Sequence, residues 1–150
     1  MTDTQSIFLT KKPLLHLVYG STSLPIITQQ IPEPSITSAL GGNQSSISWV
    51  QQTPSQCLGI VNFNGHRCHV AGLAMPLPHT LIDHTLMVSP WLGQVKAAMR
   101  HHRSHLSLAY EEGSHDPVEQ MIALYTLAHA FETEDLLGVI NPNAWTAHPA

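Results

Sequence analysis

The chain has 150 residues, 43% of them hydrophobic and only 11% charged, with a net charge of −4 when histidine is neutral. That length is one domain, and that hydrophobic share excludes wholesale disorder. Six Lys and Arg against ten Asp and Glu exclude a nucleic-acid partner, because displacing counterions from phosphate takes clustered cations.

The first twelve residues read as a tail. Its lysines, Lys11 and Lys12, follow the first apolar residues rather than precede them, which is not the order of a signal peptide. No segment approaches the roughly 20 apolar residues a membrane span needs. "LLHLVYG" (Leu14 to Gly20) is strand one. "LPIITQQI" reads as a short helix with Pro25 in its first turn, and "PEPSITSALGGNQ" as a loop. "SSISWVQQ" is strand two, and "TPSQ" is a turn with Pro54 at its second position. "CLGIVNF" and "HRCHVAGLAM" are strands three and four, joined at Asn64-Gly65, a strong hairpin signal. Pairing about that turn puts Val61 opposite Cys68 and Cys57 opposite Gly72. The two sulfurs then lie roughly 13 Å apart along the ladder, too far for a disulfide. Free thiols point to the cytosol.

"PLPHTLIDHTLMV" ends the meander with two prolines and begins a helical pattern. In "SPWLGQVKAAMRHH" Ser89 suits an N-cap and Pro90 a first helical residue. Trp91, Val95, Met99 and His102 make one stripe. "HLSLAY" is strand five. "DPVEQMIALYTLAHAFETE" is a helix capped by Asp116 and opened by Pro117, with Glu119 at capping-box spacing. Val118, Ile122, Tyr125 and His129 share one face, and Leu124, Leu127 and Phe131 widen it, so the helix is expected to be mostly buried. "DLLGVI" is strand six, and "NPNAWTAHPA" an irregular tail. Residues 13–148 therefore form a single α+β domain. Its single mixed, mainly antiparallel sheet has five to six strands, with two or three helices packed mostly on one face. Strand five, helix and strand six form a right-handed parallel crossover.

Common catalytic fingerprints are missing: no P-loop, dinucleotide glycine pattern, G-x-S-x-G, H-E-x-x-H or C-x-x-C occurs. The oddity is eleven histidines. In "HRCH", strand alternation sends His66 and Cys68 to one face and His69 to the other, too few ligands together for zinc. In "HHRSH", His101 and His102 sit at a helix C-terminus, where histidine suits the last carbonyls, and His105 begins a strand. A metal site would need His102 and His105 to meet a remote ligand such as His129, Asp83 or Glu111. His129 otherwise reads as a hydrogen-bonded core histidine. "GSHD" (Gly113 to Asp116) is a loop, since a triad is assembled in space and not in sequence. Trp145 is an interface anchor or a cover for a sheet edge.

"AMPLP" after a strand (Met75, Pro76, Leu77, Pro78), then Ala98, His102 and His105 leading into a strand, then a Trp-bearing tail, resemble a family of uncharacterised bacterial domains of unknown function, of the 4261 type. The likeness spans roughly residues 70–148. The chain departs from it at Ile140-Asn141, where the family pattern has aromatic residues. The resemblance implies no reaction; it implies that His105 and its neighbours belong to a recurrent structural pattern. The expectation is a cytoplasmic, non-catalytic binding, regulatory or protein-interaction module. Its binding residues would be drawn from His101, His102, His105 and Trp145, with no cofactor. Low surface charge favours a homodimer or a protein partner. The alternatives are a metal-binding or hydrolase-like protein using a histidine cluster, with His102, His105 and His129 as metal candidates, and an immunity- or chaperone-like partner of another protein.

Overall fold

The computed structural model describes residues 13–24, 33–41, 44–142 and 146–150. The expected tail over 1–12, most of the expected helix in "LPIITQQI" and Trp145 lie outside them. In chain order the elements are β1 (Leu14–Tyr19), α1 (Glu33–Ala39), β2 (Ser46–Gln52), β3 (Gln56–Phe63), β4 (His66–Leu73), α2 (His79–Val88), α3 (Gly93–Arg100), β5 (Ser104–Glu112), α4 (Pro117–Ala130), β6 (Leu136–Asn141) and β7 (Thr146–Pro149).

The β3–β4 hairpin follows its local chemistry. Asn64 and Gly65 both take positive φ, 50° and 79°, as a two-residue turn between twisted strands requires. The register sets Val61 opposite Cys68 and Cys57 opposite Gly72. Both thiols are buried and free. Burial pushes Cys57 up and Cys68 to about 12, so neither is a thiolate near neutral pH.

The seven strands form one sheet in the order β2-β3-β4-β5-β1-β6-β7, in an α+β fold. All of its pairings are antiparallel. β1 lies between β5 and β6, so those two run parallel without touching, and α4 carries the chain across β1. The expected crossover therefore holds in strand direction, with β1 lying between the two strands it joins. The cause lies in β1, whose Leu15, His16, Leu17, Val18 and Tyr19 are all buried. A strand apolar on both faces belongs in the middle of a sheet. β7, expected as irregular tail, is a short edge strand paired with β6, and its proline sits at the edge, where a missing donor costs no ladder bond.

The helices divide between the two faces rather than gathering on one. α1 and α4 cover the face that carries Leu15, Leu17, Tyr19, Leu106 and Leu108. α2 and α3 cover the other over β6 and β7, around Val18, Ile82, Leu86, Met99 and Ile140. α1 lies in the segment expected as loop. Ile36 and Leu40, one turn apart, are buried in the first core, and that packing overrides a Pro- and Ser-rich composition. α3 begins at Gly93 rather than Pro90. Ser89 instead closes α2, where its hydroxyl donates to the Thr85 carbonyl. In α4 Asp116 caps as expected, accepting from the Val118 N–H. Glu119 completes no capping box; it accepts from the Ser114 hydroxyl. The buried face of α4 is Ala123, Leu124, Leu127 and Ala128, while Val118 and Ile122 are exposed.

Candidate functional site

Among the described residues, α2 and α3 roof only one half of their sheet face. Over β2, β3 and β4 the same face is open: Ser46 and Ser48 are exposed, Ile60, His69 and Ala71 half-buried, and Leu58 and Leu73 are 39% and 37% exposed. Strand register lays this surface out in rows. Leu58, Ala71, Ser107 and His16 face one another across β3, β4, β5 and β1, with Leu73 and His105 in the next row. The floor is therefore made of small residues, with apolar side chains on one flank and histidines at the border with the roofed half.

Three histidines meet at that border, and they do different things. His102 is buried at the end of α3. Its Nδ1–H donates to the Met99 carbonyl at 2.7 Å and its Nε2 accepts the Leu77 N–H at 2.8 Å. Both nitrogens are used by backbone, which fixes a neutral tautomer. His105 donates Nδ1–H to the Met75 carbonyl at 2.8 Å, leaving Nε2 as an acceptor. Together they pin the segment "AMPLP" onto the sheet. His16 reaches β5 from β1. Its Nδ1 lies 2.8 Å from the Ser107 hydroxyl, and its ring stands edge-on to His105 with centroids 6.4 Å apart. Its Nε2 is buried and has no hydrogen-bond partner among the described residues. A buried nitrogen left unpaired costs about 1–3 kcal/mol, an expense that native folds seldom carry.

Burial holds all three imidazoles below their ordinary value. His16 falls furthest, to about 4, through burial and then the neighbouring His105. Burial also lowers His102 and His105, against the hydrogen bonds to Met99 and Met75 that raise them. The cluster is neutral at pH 7.

Of the residues singled out from sequence, His102 and His105 belong here. His101 is exposed and caps α3, its N–H bonded to the Ala97 carbonyl at 3.0 Å. His129 is corrected: it is no core histidine but stands 77% exposed on α4, paired with Glu132. Asp83 pairs with Arg100, and Glu111 with His69. The metal candidates His102, His105 and His129 therefore do not converge, and no group of three or more His, Cys, Asp or Glu among the described residues is placed to hold a metal ion. Sequence reasoning missed His16 and Ser107. The signal for His16 was a histidine inside an otherwise apolar central strand; its partner lies 91 positions away.

A Ser–His contact at 2.8 Å is also the first element of a nucleophile and its base. Here the second imidazole nitrogen has no orienting group among the described residues, and a base held near 4 lies about three units below the pH at which it would work. At the hairpin tip, His66 Nδ1 meets the Tyr110 hydroxyl at 2.7 Å, and that hydroxyl accepts the Ser114 N–H, a network that closes the tip against the loop before α4. No family model matches this chain, and no curated protein or solved structure matches it. No helix among the described residues is long and apolar enough to cross a membrane.

Proposed function

We propose that this chain is a non-catalytic binding module that docks a protein partner on the open half of its sheet face, with His16, Ser107 and His105 as the polar border of the interface. One observation carries the reading. The face is roofed only in part, and its open half presents Leu58, Leu73 and Met75 at 37–53% exposure around a small-residue floor that ends at a buried His–Ser pair with an unpaired nitrogen. Flat, partly apolar surfaces with few charges and a hydrogen-bonding rim suit protein partners. The reading places residues 13–148 in the cytoplasm as one bacterial domain of the family whose motif residues lie at this border. It needs no nucleic acid and no cofactor, and the immunity- or chaperone-like role is its narrower form.

A hydrolase-like reading, with Ser107 as nucleophile and His16 as base, is favoured by the 2.8 Å contact alone. The two separate cleanly. A photo-crosslinking side chain is placed at Ala71, and separately at Lys96 on α3, in cells of the native host. The expected result is one adduct of discrete mass from position 71, absent from position 96 and lost when Ser107→Glu blocks the border. Equal adducts from both positions, or none, overturn the interaction reading. Covalent capture of Ser107 by a fluorophosphonate, lost in His16→Leu, puts the hydrolase in its place.

A further inference from the structure

The segment between β4 and α2 contains Met75, Pro76, Leu77 and Pro78 in succession. Proline has no backbone N–H, so between Met75 and His79 the Leu77 N–H is the single backbone donor. Its acceptor is a side chain, the His102 Nε2 at 2.8 Å. Leu77 itself is buried in the second core with Ile82, Leu86 and Met99. Two residues earlier, the Met75 carbonyl accepts from the His105 Nδ1–H at 2.8 Å. Two histidines thus hold one segment with opposite polarity, His102 as acceptor and His105 as donor. We propose that His102 is a proton-operated latch: a proton on its Nε2 lets go of Leu77 and frees residues 76–78 from the sheet, while His105 keeps hold of Met75.

Polarity decides the outcome. A neutral imidazole accepts at one nitrogen and donates at the other; an imidazolium donates at both. The His102 Nδ1–H already donates to the Met99 carbonyl. An added proton therefore sits on Nε2 and faces the Leu77 N–H, donor against donor. A buried N–H then lacks its acceptor and a buried charge stands beside it, and both favour opening. The charges that act on His102 from neighbouring elements are those of His105 on β5 and His79 at the start of α2, and both oppose its protonation. His16 stands beyond His105, Arg100 on α3 pairs with Asp83 on α2, and His101 and Arg103 are exposed. His105 responds differently. Its bond to Met75 is a donation, which an imidazolium also makes, so that bond survives a proton. α2 stays seated through Ile82 and Leu86. The moving part is confined to residues 76–78, hinged at Met75.

The direction with pH follows. Burial lowers His102 below the ordinary 6.5, so the latch is closed at neutral pH and opens in mild acid. His16, held to about 4, is still neutral when it opens. Met75 is 53% exposed and flanks the open half-face, so an open latch reshapes the border of the docking surface and sets partner binding under proton control. That consequence rests on the docking reading; the latch itself is a property of the free chain.

Nitrogen-15 NMR on the full-length chain reads the latch at one amide. At about pH 7 a scalar coupling across the N–H···N bond is expected between the Leu77 amide nitrogen and the His102 Nε2, and is lost as His102 takes up its proton. Over the same titration the hydrogen-exchange protection factor of Leu77 is expected to fall by about tenfold or more, while that of Leu17 in the central strand β1 falls less. His102→Gln, whose side-chain amide offers one acceptor and one donor and does not titrate, is expected to hold Leu77 protection level. Should that variant not fold, the comparison of Leu77 with Leu17 in the wild-type chain decides alone. Leu77 protection that stays level while His102 protonates overturns the proposal. So does an equal fall at Leu17, which is unfolding of the whole chain, an equal fall in His102→Gln, or a His102 that stays neutral until the chain unfolds. No partner is present in this test, so the latch holds or fails separately from the crosslink at position 71.

Discussion

His102 and His16 are both buried and both neutral, yet one is fully satisfied and the other is not. His102 gives and takes a backbone hydrogen bond and behaves as a splice between the end of α3 and Leu77. Among the described residues, the His16 side chain has one hydrogen-bond partner, Ser107, and a second nitrogen without one. The consequence is a dependence on pH whose sign follows from linkage. In the unfolded chain His16 takes up its proton near 6.5; in the folded chain it does so near 4. Between these values protons bind the unfolded state more, so stability is complete above pH 6.5 and is lost as pH falls toward 4. The interval corresponds to about 3 kcal/mol from His16 alone, and His102 and His105 act in the same direction. Urea unfolding at pH 7 and pH 4.5 is expected to show this loss, and His16→Leu to remove a large part of it. Equal acid sensitivity in the variant contradicts the assignment. At the level of single residues the spacing singled out His102 and His105, the first explained by a helix terminus and the second by the strand Ser104–Glu112. It did not expose their neighbour, because the contact is made between strands far apart in the chain.

Elements held together by local chemistry were the legible ones. Asn64-Gly65 specified a turn, and the turn specified the register of eight residue pairs in β3–β4. Asp116-Pro117 specified the start of α4. What periodicity could not decide was which face of α4 is buried, since apolar residues run round most of the helix and tertiary packing chooses among them. α1 and β7 escaped notice because each is short and is held by packing or pairing rather than by propensity. The hairpin tip also makes a contact that no local pattern announces. Gly113 has φ +137°, and a Cβ there would lie 2.4 Å from the Gly65 carbonyl and 2.8 Å from the Tyr110 hydroxyl. Gly113→Ala is therefore expected to destabilise by about 2 kcal/mol or more, read from the urea midpoint. Gly93, at the start of α3, has open space around its Cβ position, so Gly93→Ala is expected to be neutral or to stabilise by up to about 1 kcal/mol. Equal effects at the two glycines contradict the close approach at the tip.

Across the whole molecule the decisive feature is that β1 enters the middle of a sheet built otherwise from the later strands. That insertion closes both cores, ties β1 to α4 through the Tyr19 hydroxyl and the Phe131 carbonyl at 2.8 Å, and carries His16 to the border between the roofed and open halves of one face. α+β class and a mainly antiparallel sheet were readable from element order. Strand order was not, because pairing at long sequence separation leaves no local trace beyond β1's continuous apolar run. The site depends on that order: His16 from β1, Ser107 and His105 from β5, and the Met75–Pro78 segment after β4 are neighbours only if β1 lies beside β5. The most direct measurement is a long-range nitrogen–proton NMR titration of the imidazoles from pH 8 down to pH 3. His102 and His105 are expected to be neutral at pH 7 with their protons on Nδ1, and His16 to titrate last, near 4. A His16 ring that protonates near 6.5, as an imidazole in water does, contradicts the burial of His16 beside Ser107 and with it the border on which the proposed docking surface rests.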